Sequence, residues 1–181
     1  MKRAARPRRT ADQRTGRRRE VVKILGVAVN NRKRVFEVRT RGGTLVFPYA
    51  RAEPALTPGD RIEEVFVDPE LGREGFTYRL ASGDEGSVHI DAVLEYNEDP
   101  SYMAELTLYR LSQEAHARFE ASELSAREVA RWLGTSPTQL YRLLDPTNYN
   151  KSVRQLISLL YLLGCEVDVE VRERPARRAA G

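Results

Sequence analysis

Apolar and polar positions change their period along this 181-residue chain. Between Glu20 and about Asp99 they alternate, or run in short β-branched blocks, which is the two-residue period of strands. "VVKILGVAV" leads into a turn at Asn30-Asn31, and "RVFEVRT" then sets Phe36, Val38 and Thr40 against Val35, Glu37 and Arg39. Gly42-Gly43 separates it from "TLVFPY", a hairpin signal, and Pro48 assigns the end of that strand to a sheet edge. "RAEPALTPGD" reads as a loop turning at Pro58-Gly59, with room for a short helix. "RIEEVFVD", "GFTYRLAS" and "GSVHIDAVLEY" predict three more strands, with turns near Asp68-Pro69 and Gly83-Asp84. The expectation for residues 20–99 is a mainly antiparallel β domain.

Beyond a junction at Asn97–Ser101 the period becomes helical. Leu108, Leu111, Ala115 and Phe119, with Ala104 one turn earlier, line one side of a long helix. "LSAREVARWLGTSPTQLYRLL", Leu124 to Leu144, then reads as two short helices joined by a tight turn. Ser125-x-x-Glu128 and Ser136-x-x-Gln139 are capping boxes, Pro137 fits a first helical position, and Gly134 suits a left-handed stop. Ser152-x-x-Gln155 repeats the device ahead of "VRQLISLLYLL", which Gly164 closes. Thereafter "CEVDVEV" alternates strictly, predicting a half-buried strand over 165–172. A lone strand needs a partner, either the β domain or its own copy in a second subunit.

The small Ala130, the turn glycine Gly134 and the apolar Leu140 fall where a helix-turn-helix needs close approach, a turn and a buried contact. On these residues and caps, roughly Leu106–Leu163 resembles the helix-turn-helix of the lambda-repressor and Cro type, whose second helix enters the DNA major groove. The segments "VFVDPELGREGFTYRL" and "VHIDAVLEY" resemble a small β-rich bacterial domain of unknown function found ahead of such modules. That second resemblance carries over no functional residue.

If the chain reads DNA, helical geometry assigns the faces of its second helix at about 100° per residue. Leu140, Leu143 and Leu144 form the core side, while Thr138, Arg142 and Tyr141 lie opposite and Gln139 lies on a flank. Arg142 suits a bidentate contact to guanine, with Thr138 or Gln139 beside it. Ser136 and Pro137, at the helix N-terminus, sit where backbone N–H groups suit a phosphate. Arg127 and Arg131 on the preceding helix, and Asn148, Asn150 and Lys151 in the following loop, are candidate backbone contacts. Asp145 opposes this reading, although Asp145-Pro146 also suits a helix end.

Charge changes the picture less than the high pI suggests. The net charge is +4, but residues 1–19 carry nine Lys/Arg against Asp12, for +8, and the last ten residues carry +3. Subtracting +8 and +3 from +4 leaves −7 for the body. Residues 20–99 hold 10 basic against 15 acidic side chains, which disfavours a direct grip on nucleic acid and favours a protein partner or dimerisation. Leu124–Gly164 is +3. The arm over 1–19 has too little apolar content to offset its ordering entropy and is expected to be disordered, as either a phosphate-seeking arm or a solubilising tail. The short basic tail over 173–181 is read likewise as mobile.

Cys165 is the single cysteine, which excludes an intramolecular disulfide and suits a reducing cytoplasm. With only His89 and His116 beside it, the usual zinc set is missing, and no cofactor is expected. His89, between Val88 and Ile90, reads as a solvated or satisfied histidine. "VVKILGVAV" is too short to span a bilayer. No nucleophile–base arrangement or phosphate loop points to an enzyme.

These patterns predict an α+β chain: an antiparallel β domain over 20–99, an all-α repressor-type bundle over 100–164, and a terminal strand over 165–172. The expected function is sequence-specific binding of double-stranded DNA by a homodimeric transcriptional regulator. One version is an antitoxin-like autoregulator whose β domain holds a protein partner. The rival expectation is a protein–protein adaptor whose helix-turn-helix no longer reads DNA.

Overall fold

The computed structural model describes residues 21–173. The expectations for the arm over 1–19, and for all of the last tail but Glu173, therefore lie outside the described residues. Among the described residues the chain is mixed α and β, with two three-stranded antiparallel sheets and five α-helices. It divides into two compact units, one up to Thr107 and one from Leu108.

The first sheet is the meander β1 (Gly26–Asn30), β2 (Val35–Thr40) and β3 (Gly43–Pro48). Its register places Val38 opposite Val27 and Leu45, and Phe36 opposite Val29 and Phe47. The two-residue period therefore delivers one apolar face. The β2–β3 pairing closes at Thr40–Gly43, so Arg41 and Gly42 make the turn, and the Thr40 hydroxyl accepts the Gly42 N–H at 3.2 Å. A 3₁₀ turn at Tyr49–Arg51 follows Pro48.

The second sheet is β4 (Ile62–Val67), β5 (Gly75–Leu80) and β6 (Glu85–His89). Val67–Phe76–Val88 and Val65–Tyr78–Gly86 are its inward rungs. Phe36 joins the two inner faces, with ring centroids 4.7 Å from Tyr49, 4.9 Å from Phe76 and 5.3 Å from Tyr78. Such tilted aromatic pairs add to plain area burial.

One of the six predicted strands is only half a strand. "GSVHIDAVLEY" pairs as β6 up to His89 and then turns into α1 (Ile90–Asn97). The reason lies in the spacing of Ile90, Val93 and Leu94, which are all buried and follow i, i+3, i+4 rather than alternation. His89 is the hinge. It caps α1 by accepting the Asp91 N–H on Nδ1 at 3.3 Å, a satisfied and exposed histidine. At the other end of α1, Asn97 reaches the edge of β3, donating to the Val46 carbonyl at 2.8 Å and accepting the Val46 N–H at 3.3 Å. This side-chain clip occupies backbone groups that an open sheet edge would otherwise present.

The Tyr78 hydroxyl donates to the Pro54 carbonyl at 2.7 Å. Burial, aided by the Glu53 carboxylate, pushes its pKa up to about 12 from 10.0. Because the unfolded phenol ionises first, the stability this group contributes is present below pH 10 and lost as the pH rises toward 12. Alkaline titration of urea unfolding checks this: wild type is expected to lose stability over that window faster than Tyr78→Phe.

Asp99 opens α2 (Pro100–Glu120), its carboxylate accepting the Tyr102 N–H at 2.9 Å with Pro100 at the first helical position. Tyr102 packs on the core of the first unit. Leu108, Leu111, Ala115 and Phe119 pack on the core of the second. Ala104, expected on the same stripe, is exposed.

The second unit adds α3 (Ala126–Trp132), α4 (Pro137–Leu144) and α5 (Val153–Leu162). Its core is Ala115, Phe119, Val129, Ala130, Leu140, Leu143, Leu144, Leu156, Leu159 and Leu160. No helix among the described residues is long and apolar enough to cross a membrane.

The terminal strand predicted over 165–172 is not formed. Cys165 and Val167 lean on the helical core, but Val169 and Val171 are 78% and 91% exposed, and no strand among the described residues accepts the ladder. Alternation alone supplies one apolar face, not hydrogen-bond partners.

Candidate nucleic-acid interface

The α3–turn–α4 segment is built by its ends. Ser125 and Glu128 form a reciprocal capping box: the serine oxygen accepts the Glu128 N–H at 3.3 Å, and the glutamate accepts the Ser125 N–H at 2.9 Å. These bonds hold the Glu128 carboxyl below the usual range. Gly134, at φ +65°, then stops α3. The Thr135 N–H bonds the Ala130 carbonyl at 2.8 Å and the Gly134 N–H bonds Arg131 at 3.2 Å, the paired bonds of a Schellman turn. One residue on, the Ser136 oxygen accepts the Gln139 N–H at 3.2 Å with Pro137 at the first helical position. Gly164, at φ +77°, closes α5 with the same pair of bonds, from Cys165 to Leu160 and from Gly164 to Tyr161. Ser152 departs from expectation, because its side chain makes no cap hydrogen bond at α5.

Ala130, Leu140, Leu143 and Leu144 are buried, as the spacing requires. Thr138, Gln139, Tyr141 and Arg142 on α4, with Ser136 and Pro137 at its start, are all exposed, as are Arg127 and Arg131 on α3. Gln139, Arg142, Asn148, Asn150 and Lys151 meet around one open concavity of about 680 Å³. Arg154, Gln155 and Ser158 of α5 line its far wall. None of these last three is a candidate contact from the sequence, which offers Gln155 only as a cap partner of Ser152, although they lie away from the buried Leu156, Leu159 and Leu160. Arg127, Arg131, Thr138 and Tyr141 lie outside this concavity.

The loop residues have a second occupation. The Asn148 side chain donates to the Arg142 carbonyl at 2.9 Å, and the Lys151 ammonium donates to the carbonyls of Leu143, at 2.8 Å, and Asp145. Both side chains thus satisfy carbonyls left open at the C-terminus of α4, where a cation is favoured by the helix dipole. Burial lowers the Lys151 pKa, opposed by the nearby Asp145. The Asn148 side-chain oxygen also accepts the Asn150 N–H at 3.1 Å.

Asp145 ends α4 in an extended conformation ahead of Pro146. Its carboxylate accepts the Thr147 hydroxyl at 2.7 Å and the Thr147 N–H at 2.9 Å, which hold its pKa below the usual carboxylate range. It stays ionised and exposed, one turn beyond Arg142.

No protein-family model, curated protein or solved structure matches the chain.

Two exposed aromatics border the same segment. Trp132, at the end of α3, is 57% exposed and Tyr141, on α4, is 58% exposed. Tyr141 is among the candidate contacts that helical spacing offers; Trp132 is not. Among the described residues, no three His, Cys, Asp or Glu side chains come together to hold a metal ion.

Proposed function

We propose that the unit from Leu108 is a helix-turn-helix that binds double-stranded DNA, and that the protein is a transcriptional regulator. The observation that carries the reading is α4. Its buried ridge of Leu140, Leu143 and Leu144 leaves Thr138, Gln139 and Arg142 outward, and Arg142 opens onto a concavity shared with Arg154. In this reading Arg142 contacts a guanine edge, Thr138 and Gln139 read beside it, and Arg127, Arg131, Asn150 and Arg154 serve phosphates. Two copies would address half-sites one helical turn, about 34 Å, apart. The acidic β-rich part over 20–99 would hold a protein partner, as in an antitoxin-like autoregulator.

Selection from random oligonucleotides tests the claim, and enrichment of a defined sequence is expected. Arg142→Ala should cost about 1–3 kcal/mol on that sequence while leaving non-specific affinity almost unchanged. An equal loss on both DNAs would make Arg142 a phosphate contact. Absence of any enriched sequence would sink the reading.

A second reading has its own support in Trp132 and Tyr141, both more than half exposed, and in the ionised Asp145 one turn beyond Tyr141. Exposed aromatics are enriched at protein interfaces, and an acid disfavours phosphate. In this reading the segment is an adaptor surface. Mobility shift in excess non-specific DNA separates the two: a retained complex favours the DNA reader, and complete loss favours the adaptor.

A further inference from the structure

We propose that Cys165–Glu173 is one half of a two-stranded antiparallel ribbon whose other half is the same segment of a second copy of this chain. Residues 165–172 carry a strict strand pattern, which Glu173 ends by placing an acid on the apolar side, yet they join no sheet among the described residues. Cys165 and Val167 lie on the helical core, so the apolar side of the segment is already oriented. Val169 and Val171 continue that side with nothing over them, at 78% and 91% exposure. Beside Val167 is a shallow concavity of about 260 Å³, lined also by Leu111 and Arg118 of α2 and Leu160 of α5.

The second copy is the occupant that the residues fit. An isologous contact needs a segment complementary to itself. Antiparallel pairing centred on Val169 sets Val169 against Val169 and Val167 against Val171 twice, giving three apolar rungs. Each exposed Val171 then lies beside the partner's Val167, next to the partner's concavity. On the other side Glu166 faces Arg172 at both ends. Arg172 is already held in this segment, donating to the Glu170 carboxylate at 2.6 Å through Nε and Nη2. Asp168 opposes Glu170 at two rungs, which limits affinity. The Val169-centred pairing leaves Cys165 opposite Glu173 at its two ends; centring on Asp168 would put acid against acid at every carboxylate rung, and centring on Glu170 would move the Glu173 mismatch inward onto Val167. Neither alternative keeps the three valine rungs. The contact does not depend on the DNA-binding reading.

Cysteine scanning of the full chain in a Cys165→Ala background tests the ribbon. Directly opposed residues have Cβ atoms about 4.5–5.5 Å apart, within small adjustment of disulfide geometry. Residues 171 of the two copies would be about 13 Å apart at 3.3 Å per residue. Val169→Cys is therefore expected to form the covalent dimer at least tenfold faster than Val171→Cys. A maximum elsewhere, or equal rates, overturns the pairing. Sedimentation is the second arm. Val169→Asp, at a position exposed in the single chain, should weaken self-association at least tenfold while leaving the circular dichroism spectrum unchanged. A monomeric wild type at the same concentrations, or an unaffected variant, overturns the proposal even if DNA binding persists.

Discussion

Gly86→Ala is expected to destabilise the β unit by about 3–5 kcal/mol, combining the cost of overpacking with that of an orphaned buried polar group. Gly86 sits on β6 directly opposite Tyr78, and the tyrosine ring covers the space where a side chain would stand. A Cβ there would lie 2.3 Å from the Tyr78 hydroxyl, 2.4 Å from its ring carbon Cζ and 2.6 Å from the Glu53 carbonyl. One of these neighbours is backbone, and the ring is held by Phe36 and by the bond to Pro54, so nothing yields cheaply. The arrangement resembles aromatic rescue of a strand glycine, in which a ring covers backbone that has no side chain of its own. Urea unfolding followed by near-ultraviolet tyrosine signals measures the loss. The double variant Gly86→Ala with Tyr78→Leu should be less unstable than the two single costs add to, because the shorter side chain removes the two contacts with the ring and leaves only the one with the Glu53 carbonyl. A Gly86→Ala loss within about 0.5 kcal/mol, the range of an ordinary surface substitution, would disprove the close approach.

That glycine marks where reading the sequence stops. Alternation places β2 and the inward faces, since period alone decides which residues point together. It says nothing about a ring from one strand lying over the backbone of the next. The α3–α4 caps were legible because a serine three residues ahead of an acid or amide is a local device, reciprocal at Ser125–Glu128 but formed only by the serine oxygen at Ser136–Gln139. The same pattern at Ser152 fails to close, which shows that the residues permit a cap without enforcing it. "VHIDAVLEY" reads as strand throughout because Val88 and Ile90 extend the strand period through the residue where the helix begins. The decisive signal, Val93 and Leu94 in place of one alternating position, comes only after the boundary. The terminal "CEVDVEV" fails for a different reason: its pattern is local, but its hydrogen-bond partner is not.

The candidate site divides along the same line. The outward face of α4 follows from helical spacing. Asn148 and Lys151 were assigned outward roles because their types suit phosphates, whereas their geometry turns them onto the end of α4. The wall formed by Arg154, Gln155 and Ser158 depends on how α5 packs beside α4, which no local pattern encodes.

Leu140→Ala is expected to remove about 3 kcal/mol from the helical unit, within the range of 2–5 kcal/mol for a leucine truncated in a packed core. Leu140 is fully buried on α4, in one cluster with Ala130 of α3 and Leu156 and Leu159 of α5. Ala130 has no bulk to fill the void, and the flanking Leu143 and Leu144 are held on the same rigid turn. A unit this small buries a limited fraction of its surface, so a loss of that size is a large part of its total stability. Trp132, the single tryptophan, lies on α3 and makes fluorescence a reporter of this unit. The wild-type and variant midpoints should separate in that signal, while Thr138→Ala, on the exposed face of the same helix, should shift it by less than about 0.5 kcal/mol. Leu140→Met keeps the volume and should cost less than about 1.5 kcal/mol. If Leu140→Ala proved as mild as Thr138→Ala, α4 would not be anchored by its leucine ridge. Its outward residues would then have no fixed orientation from which to read a base or grip a partner.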